Sequence, residues 1–136
     1  MYETFEHTAD VGLRIEADDL DELFAEAGQG FFSLFVEDLG TVEPRQAVSI
    51  EVAGDELEYL LFDWLNELLY RFESQRLLLR EFDVAVSDTG LTATARGEPL
   101  DESRHRLGFE VKAVTYHGLT VKQIDGRWRA EVILDI

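Results

Sequence analysis

The sequence predicts an α+β fold, a largely antiparallel sheet carrying two main amphipathic helices in the order ββαβαββββ, as one domain over residues 1–136. Three observations lead there. Residues 20–36 and 57–73 repeat apolar side chains at helical spacing. Several shorter stretches alternate apolar and polar residues with the two-residue period of a half-buried strand. The strands after the second helix follow one another closely, joined by turn signals, which favours antiparallel pairing over helix-linked parallel units.

The elements come in order. The stretch "FEHTADVGLRI" opens the chain as strand, with Val11, Leu13 and Ile15 alternating against Gly12, Arg14 and Glu16. Asp18 and Asp19 end it, and Asp19 with Glu22 fits a capping box that starts a helix. Leu20, Phe24, Ala27, Phe31 and Phe35 give that helix an apolar face through about Val36. Gly28 and Gly30 weaken it in the middle, which marks close packing against a neighbour. After the loop "GTVEP", Val48, Ile50 and Val52 alternate as a strand. Asp55 and Glu58 suggest a second capping box for a helix running to about Glu73. Leu57, Leu61, Trp64, Leu68 and Phe72 form its core face, widened by Tyr59, Phe62, Leu69 and Tyr70. A helix this apolar is expected to be covered on more than one side. "FDVAVS", the turn "SDTG" and "LTATARG" read as a hairpin. "EPLDESRHRLG" is a loop, "FEVKAVTYHGLTVKQI" is strand-like with a break near His117 and Gly118, and "DG" at 125–126 turns into the final strand "WRAEVILDI". Trp64 and Trp128 are expected in the core.

Composition narrows the function. With 46% hydrophobic and 30% charged residues, interspersed, the chain is globular rather than disordered. It has no membrane-length apolar stretch, no signal-peptide pattern and no cysteine, so a cytoplasmic location without disulfides or thiolate metal sites is expected. The net charge is −17, which repels phosphate backbones and makes strong direct nucleic-acid binding unlooked-for. The excess is uneven: residues 101–136 carry equal numbers of basic and acidic side chains, and that is where an anionic contact is expected. No phosphate-binding loop, GxSxG, HExxH or CxxC motif is present, and no nucleophile and base stand at a diagnostic spacing.

What remains is a set of ionisable residues in or beside strands. Asp10 heads the first alternating strand on the face opposite the core, and Asp135 lies near the end of the last strand. With the terminal carboxylate of Ile136 they would form an all-oxygen cluster suited to Ca²⁺ or Mg²⁺; the alternative is a solvated strand end. His7, His105 and His117 are the three histidines, and a histidine beside an apolar strand is more often a hydrogen-bonded structural residue than a ligand. Arg104 and His105 sit in a loop, where binding residues concentrate. Lys112 interrupts an apolar run and is expected to pair with a carboxylate rather than to extend into solvent.

"HTADVG", "LLFDWLNELLYRF", "RH…EVKAVTYH" and the terminal "VILDI" together resemble the archease family, in the same order and over essentially the whole chain. The resemblance implies a protein cofactor of the RtcB-type RNA ligase of tRNA splicing and RNA repair, not itself an enzyme. Such a cofactor binds the ligase transiently, promotes guanylylation of its histidine with GTP and Mn²⁺, allows multiple turnover and broadens the nucleotides used. The resemblance also implies a divalent-metal site, Ca²⁺ with Mg²⁺ or Mn²⁺ as alternatives, on Asp10, Asp135 and Ile136. Arg104, His105 and Lys112 match positions in the late motif and become candidates for contact with the ligase or a phosphate. His7 and His117 lie in the motifs without an assigned role. Two other readings stand beside it. One is a free-standing metal-dependent enzyme acting on a small phosphorylated compound. The other is a chaperone-like binding protein for RNA-processing enzymes.

Overall fold

The computed structural model of the chain describes residues 1–7 and 9–136, and its architecture follows from where strand alternation meets the two helical stripes. The elements run β1 (Tyr2–His7), β2 (Asp10–Ala17), α1 (Leu20–Ser33), a short 3-10 turn (Leu39–Thr41), β3 (Gln46–Ala53), α2 (Leu57–Gln75), β4 (Leu77–Ser87), β5 (Gly90–Pro99), β6 (Ala113–Val114), β7 (Thr120–Ile124) and β8 (Arg127–Asp135). The predicted α+β class with antiparallel pairing and two helices is the observed one. One sheet has the order β1-β2-β8-β6, with β7 also pairing with β8. Along the edge of β8 away from β2, β7 pairs with its first half and β6 with its end. The other sheet has the order β3-β5-β4.

Both helices touch both sheets, so they fill the core the sheets share. The glycines of α1 show how tightly. A Cβ on Gly28 would come within 2.8 Å of the Phe82 ring on β4, and one on Gly30 within 2.9 Å of Leu13 on β2 and Tyr2 on β1. The helix is pressed between the two sheets, and at these two positions only a missing side chain permits the approach. Asp19 caps α1 as expected, its Oδ1 accepting from the Glu22 N–H at 2.8 Å. Asp21 accepts from the Val86 N–H at 2.7 Å and ties the first turn of α1 to the end of β4. The helices are joined by the Trp64 indole, fully buried, which donates to the Phe24 carbonyl at 2.9 Å. Phe31, Phe32, Phe35, Phe72 and Phe82 pack ring to ring beside it. Among the described residues no helix is long and apolar enough to cross a membrane.

Five details differ from the sequence expectation. The first helix ends at Ser33 rather than near Val36; Val36 instead bridges to Leu107. The second helix is capped by Glu56, without a side-chain bond, so the Asp55–Glu58 box does not form. Tyr59 and Tyr70 are exposed and do not widen the core face of α2, whose buried stripe is Leu60, Leu61, Trp64, Leu65, Leu68 and Leu69. Trp128 is half-buried rather than a core residue. Finally, the long strand predicted over 109–124 is only β6 and β7. The Gly108 and Phe109 N–H groups donate to the Phe35 and Leu34 carbonyls, which holds this stretch against the exit of α1 and away from a sheet. The break at His117 and Gly118 is present, with Gly118 at φ 65°. The Asp125-Gly126 hairpin also forms, both residues having the positive φ of a type I′ turn.

Candidate metal and partner-binding site

The two sequence regions suspected of meeting do meet. β2 and β8 run antiparallel with Asp10 opposite Asp135, Gly12 opposite Ile133 and Arg14 opposite Glu131. Alternation puts Asp10, Gly12 and Arg14 on the outer face while Val11, Leu13 and Ile15 enter the core. Farther along that face the charges are complementary: Arg14 Nε donates to Glu131 at 2.7 Å and its Nη1 to Glu3 at 2.7 Å. The Asp10–Asp135 position carries two like charges instead, an arrangement that destabilises a sheet unless a cation lies nearby. The Ile136 N–H donates to the Ala9 carbonyl at 3.4 Å, bringing the last residue beside Asp10, and the Lys112 N–H donates to the Asp135 carbonyl at 2.8 Å.

This place offers two carboxylates, Asp10 and Asp135. Its carboxylate oxygens are the donors Ca²⁺ and Mg²⁺ prefer. Among the described residues no three His, Cys, Asp or Glu side chains gather around one point. Asp10 and Asp135 would therefore need the Ile136 carboxylate and water to complete a shell. His7 pairs through its backbone with Asp10; its side chain, and Thr8, lie outside the described residues.

Of the late-motif candidates, His105 lies elsewhere and in a different role. It is 1% exposed. Its Nδ1 accepts the Asp101 N–H at 2.9 Å, which leaves the proton on Nε2 to donate to Glu98 Oε2 at 2.9 Å. A ring so enclosed cannot contact a partner, so the expected ligase contact by His105 is corrected to a structural hydrogen bond. Glu98, itself 4% exposed, is the hub that sequence reasoning missed. It also accepts from the Glu43 N–H at 2.8 Å and from Arg104 at 2.6 Å. Burial alone would raise the Glu98 carboxyl; the bonds from Glu43, Arg104 and His105 outweigh it and hold it at about 2. Arg104 is thus engaged within the loop, with part of its guanidinium still in solvent. Glu98 gave little signal in the sequence, where it reads as one more acid at a strand end.

Lys112 is exposed and makes no ion pair among the described residues, contrary to the pairing expected of it; its chain is held through the backbone while the ammonium reaches water. His117 is exposed at the turn, its N–H donating to Thr115 Oγ1 at 3.2 Å. The structure therefore brings together Asp10, Asp135 and Ile136, places the Lys112 backbone beside them, and separates off the Arg104–His105 loop.

Fold and site together define a small, strongly acidic α+β protein with a carboxylate pair at the end of its larger sheet. The model of the archease protein family matches residues 2–136. The protein archease of Methanopyrus kandleri is 43% identical over 139 residues, covering 99% of both chains. That of Pyrococcus abyssi is 39% identical, covering 99% of this chain and 98% of its own. The chain belongs to the archease family. The solution structure of protein 1598 of Methanobacterium thermoautotrophicum superposes with a TM-score of 0.87 at 35% identity, covering 99% of this chain and 98% of that one. The crystal structure of a Thermotoga maritima archease, described as a "possible chaperone", shares the fold at a TM-score of 0.70 and 21% identity, covering 100% of this chain and 98% of that one.

Proposed function

We propose that this chain is a cytoplasmic protein activator of an RtcB-type RNA ligase in tRNA splicing and RNA repair. It promotes guanylylation of the ligase histidine, sustains multiple turnover and broadens nucleotide use, and is not itself the ligase. The observation that carries the reading is archease family membership over residues 2–136, and the meeting of Asp10 and Asp135 supports it. The chaperone description of the Thermotoga protein agrees with the broader idea of a protein that acts on another protein.

Asp10, Asp135 and the Ile136 carboxylate are the groups that would hold a divalent ion, which when bound would supply a positive centre attractive to phosphate oxygens. The chain's own contribution is orientation and steering. The β2–β8 register sets Asp10 opposite Asp135. The charge of −17 draws the protein toward a basic, RNA-binding cleft. Lys112 is exposed, its N–H bonded to the Asp135 carbonyl, and would be the group to meet an anion near the same end. Contact with the ligase must be transient, because the cleft later receives RNA.

The test is turnover of an RtcB-type ligase on nicked RNA with GTP and Mn²⁺, with this protein at a small fraction of the ligase concentration. Passage from one turnover to many is expected. A ligase from the same organism left unaffected would overturn the reading. Hydrolysis of small phosphorylated compounds by this protein alone would favour the free-standing enzyme instead.

A further inference from the structure

Tyr59 and Tyr116 are large aromatic residues, 54% and 55% exposed, that come from separate parts of the chain and touch. Tyr59 is in the first turn of α2, and Tyr116 is in the turn between β6 and β7. Their ring centroids are 5.7 Å apart with planes at 76°. One face of Tyr116 is covered by Phe62, stacked at 3.9 Å and 11°. Tyr116 remains largely exposed, and with Tyr59 it forms the corner of an open groove completed by Glu56, Glu58 and Leu119. Glu56 and Glu58 are exposed, and neither has an ion-pair partner among the described residues. Acids in a first turn are expected for the helix alone, since they complement its positive end. The helix does not require two exposed tyrosines held in contact by a third ring.

We propose that this groove docks an arginine side chain of a partner protein. The exposed part of these two rings offers the negative face of a π-system, and a cation on such a face is attracted. Glu56 and Glu58 supply the complementary charge. Arginine fits better than lysine because its planar guanidinium stacks on a ring while its N–H groups reach carboxylates. The site is separate from the Asp10–Asp135 pair, uses no metal, and does not depend on which enzyme the partner is.

The test is NMR titration of the whole protein with acetyl-Gly-Arg-Gly-Arg-Gly-amide, beside the same peptide with leucine in place of arginine. Docking predicts that the Tyr59, Tyr116 and Phe62 ring signals move together and saturably. It also predicts that the arginine side-chain protons shift upfield in the ring currents. The double variant Tyr59→Leu with Tyr116→Leu should lose that upfield shift and weaken binding about two- to fivefold. Tyr59→Phe with Tyr116→Phe should keep both. Glu56→Gln with Glu58→Gln should weaken binding and flatten its salt dependence. The Trp64 indole signal, remote in the core, reports that each variant is folded. Shifts spread evenly over the acidic surface without ring-current movement, equal binding of the leucine peptide, or full binding by the double leucine variant would each overturn the proposal.

Discussion

His105 Nε2 lies 2.9 Å from Glu98 Oε2, inside the protein, and the pair fastens the 101–108 loop to the end of β5. Removing one member leaves the other's polar atoms buried and unmatched, along with the Glu43 N–H. Each buried donor left without its acceptor costs about 1–3 kcal/mol. Glu98→Ala should therefore lower the melting temperature by roughly 10 °C in calorimetry. A change within a degree or two would show that the loop is held by something else.

The same carboxylate makes stability depend on acid. Its folded-state value of about 2 lies below the ordinary 4.5, so the unfolded chain takes up the proton first as pH falls. The stabilisation is complete above about pH 4.5 and is lost on descending toward about pH 2. Denaturant melts of the wild type and Glu98→Gln between pH 6 and 2 should converge as the pH drops. Parallel curves across that range would refute the assignment.

Asp10 and Asp135 face each other in register. If a divalent cation relieves their repulsion, Ca²⁺ should raise the wild-type melting temperature. At one hundred times the dissociation constant the gain is about 2.7 kcal/mol. Asp10→Asn and Asp135→Asn should each abolish most of that Ca²⁺ response. In chelator Asp135→Asn should leave stability unchanged or improved by up to about 1 kcal/mol, because a like-charge neighbour has been removed. A Ca²⁺ response that survives both substitutions would place any cation elsewhere.

A Cβ on Gly28 would lie 2.8 Å from the Phe82 ring, inside van der Waals contact, and Phe82 stacks on Phe32. Gly28→Ala improves helix propensity by somewhat under about 1 kcal/mol. It also forces the ring away, and overpacking of this kind costs about 1–3 kcal/mol. Net destabilisation is expected in urea melts; net stabilisation would show that the sheet can retreat.

The sequence made some of this legible and not the rest, for physical reasons. Alternation and helical stripes are local signals, so both helices, the β4–β5 hairpin and the Asp125-Gly126 turn could be read directly. Gly28 and Gly30 could be read as close approaches because glycine is costly inside a helix unless space demands it. The meeting of Asp10 with Asp135 was legible only because a lone acid stood at the end of each strand. The cap of α2 was misjudged because Asp55 and Glu58 have suitable spacing, while the backbone turns helical only after Glu56. His105 and Glu98 were not recognisable as partners, since burial of a loop residue depends on how the chain folds back. Tyr59 was assigned to the core because a periodic pattern cannot say where the covering layer stops.

β8 pairs with β2, β6 and β7 and is the last strand in the chain. Its Glu131 bonds to Arg14, 117 positions earlier. On a ribosome, the larger sheet must wait with β1 and β2 unpartnered on one side until nearly all of this sequence has emerged. The β3-β5-β4 sheet has all its strands by Pro99 and can assemble sooner. Contacts so distant in sequence are slow to form. Pulsed hydrogen exchange during refolding should therefore protect β4 and β5 before β2 and β8. The Asp10–Asp135 pair is then a late contact: it comes into being only when β8 has found β2.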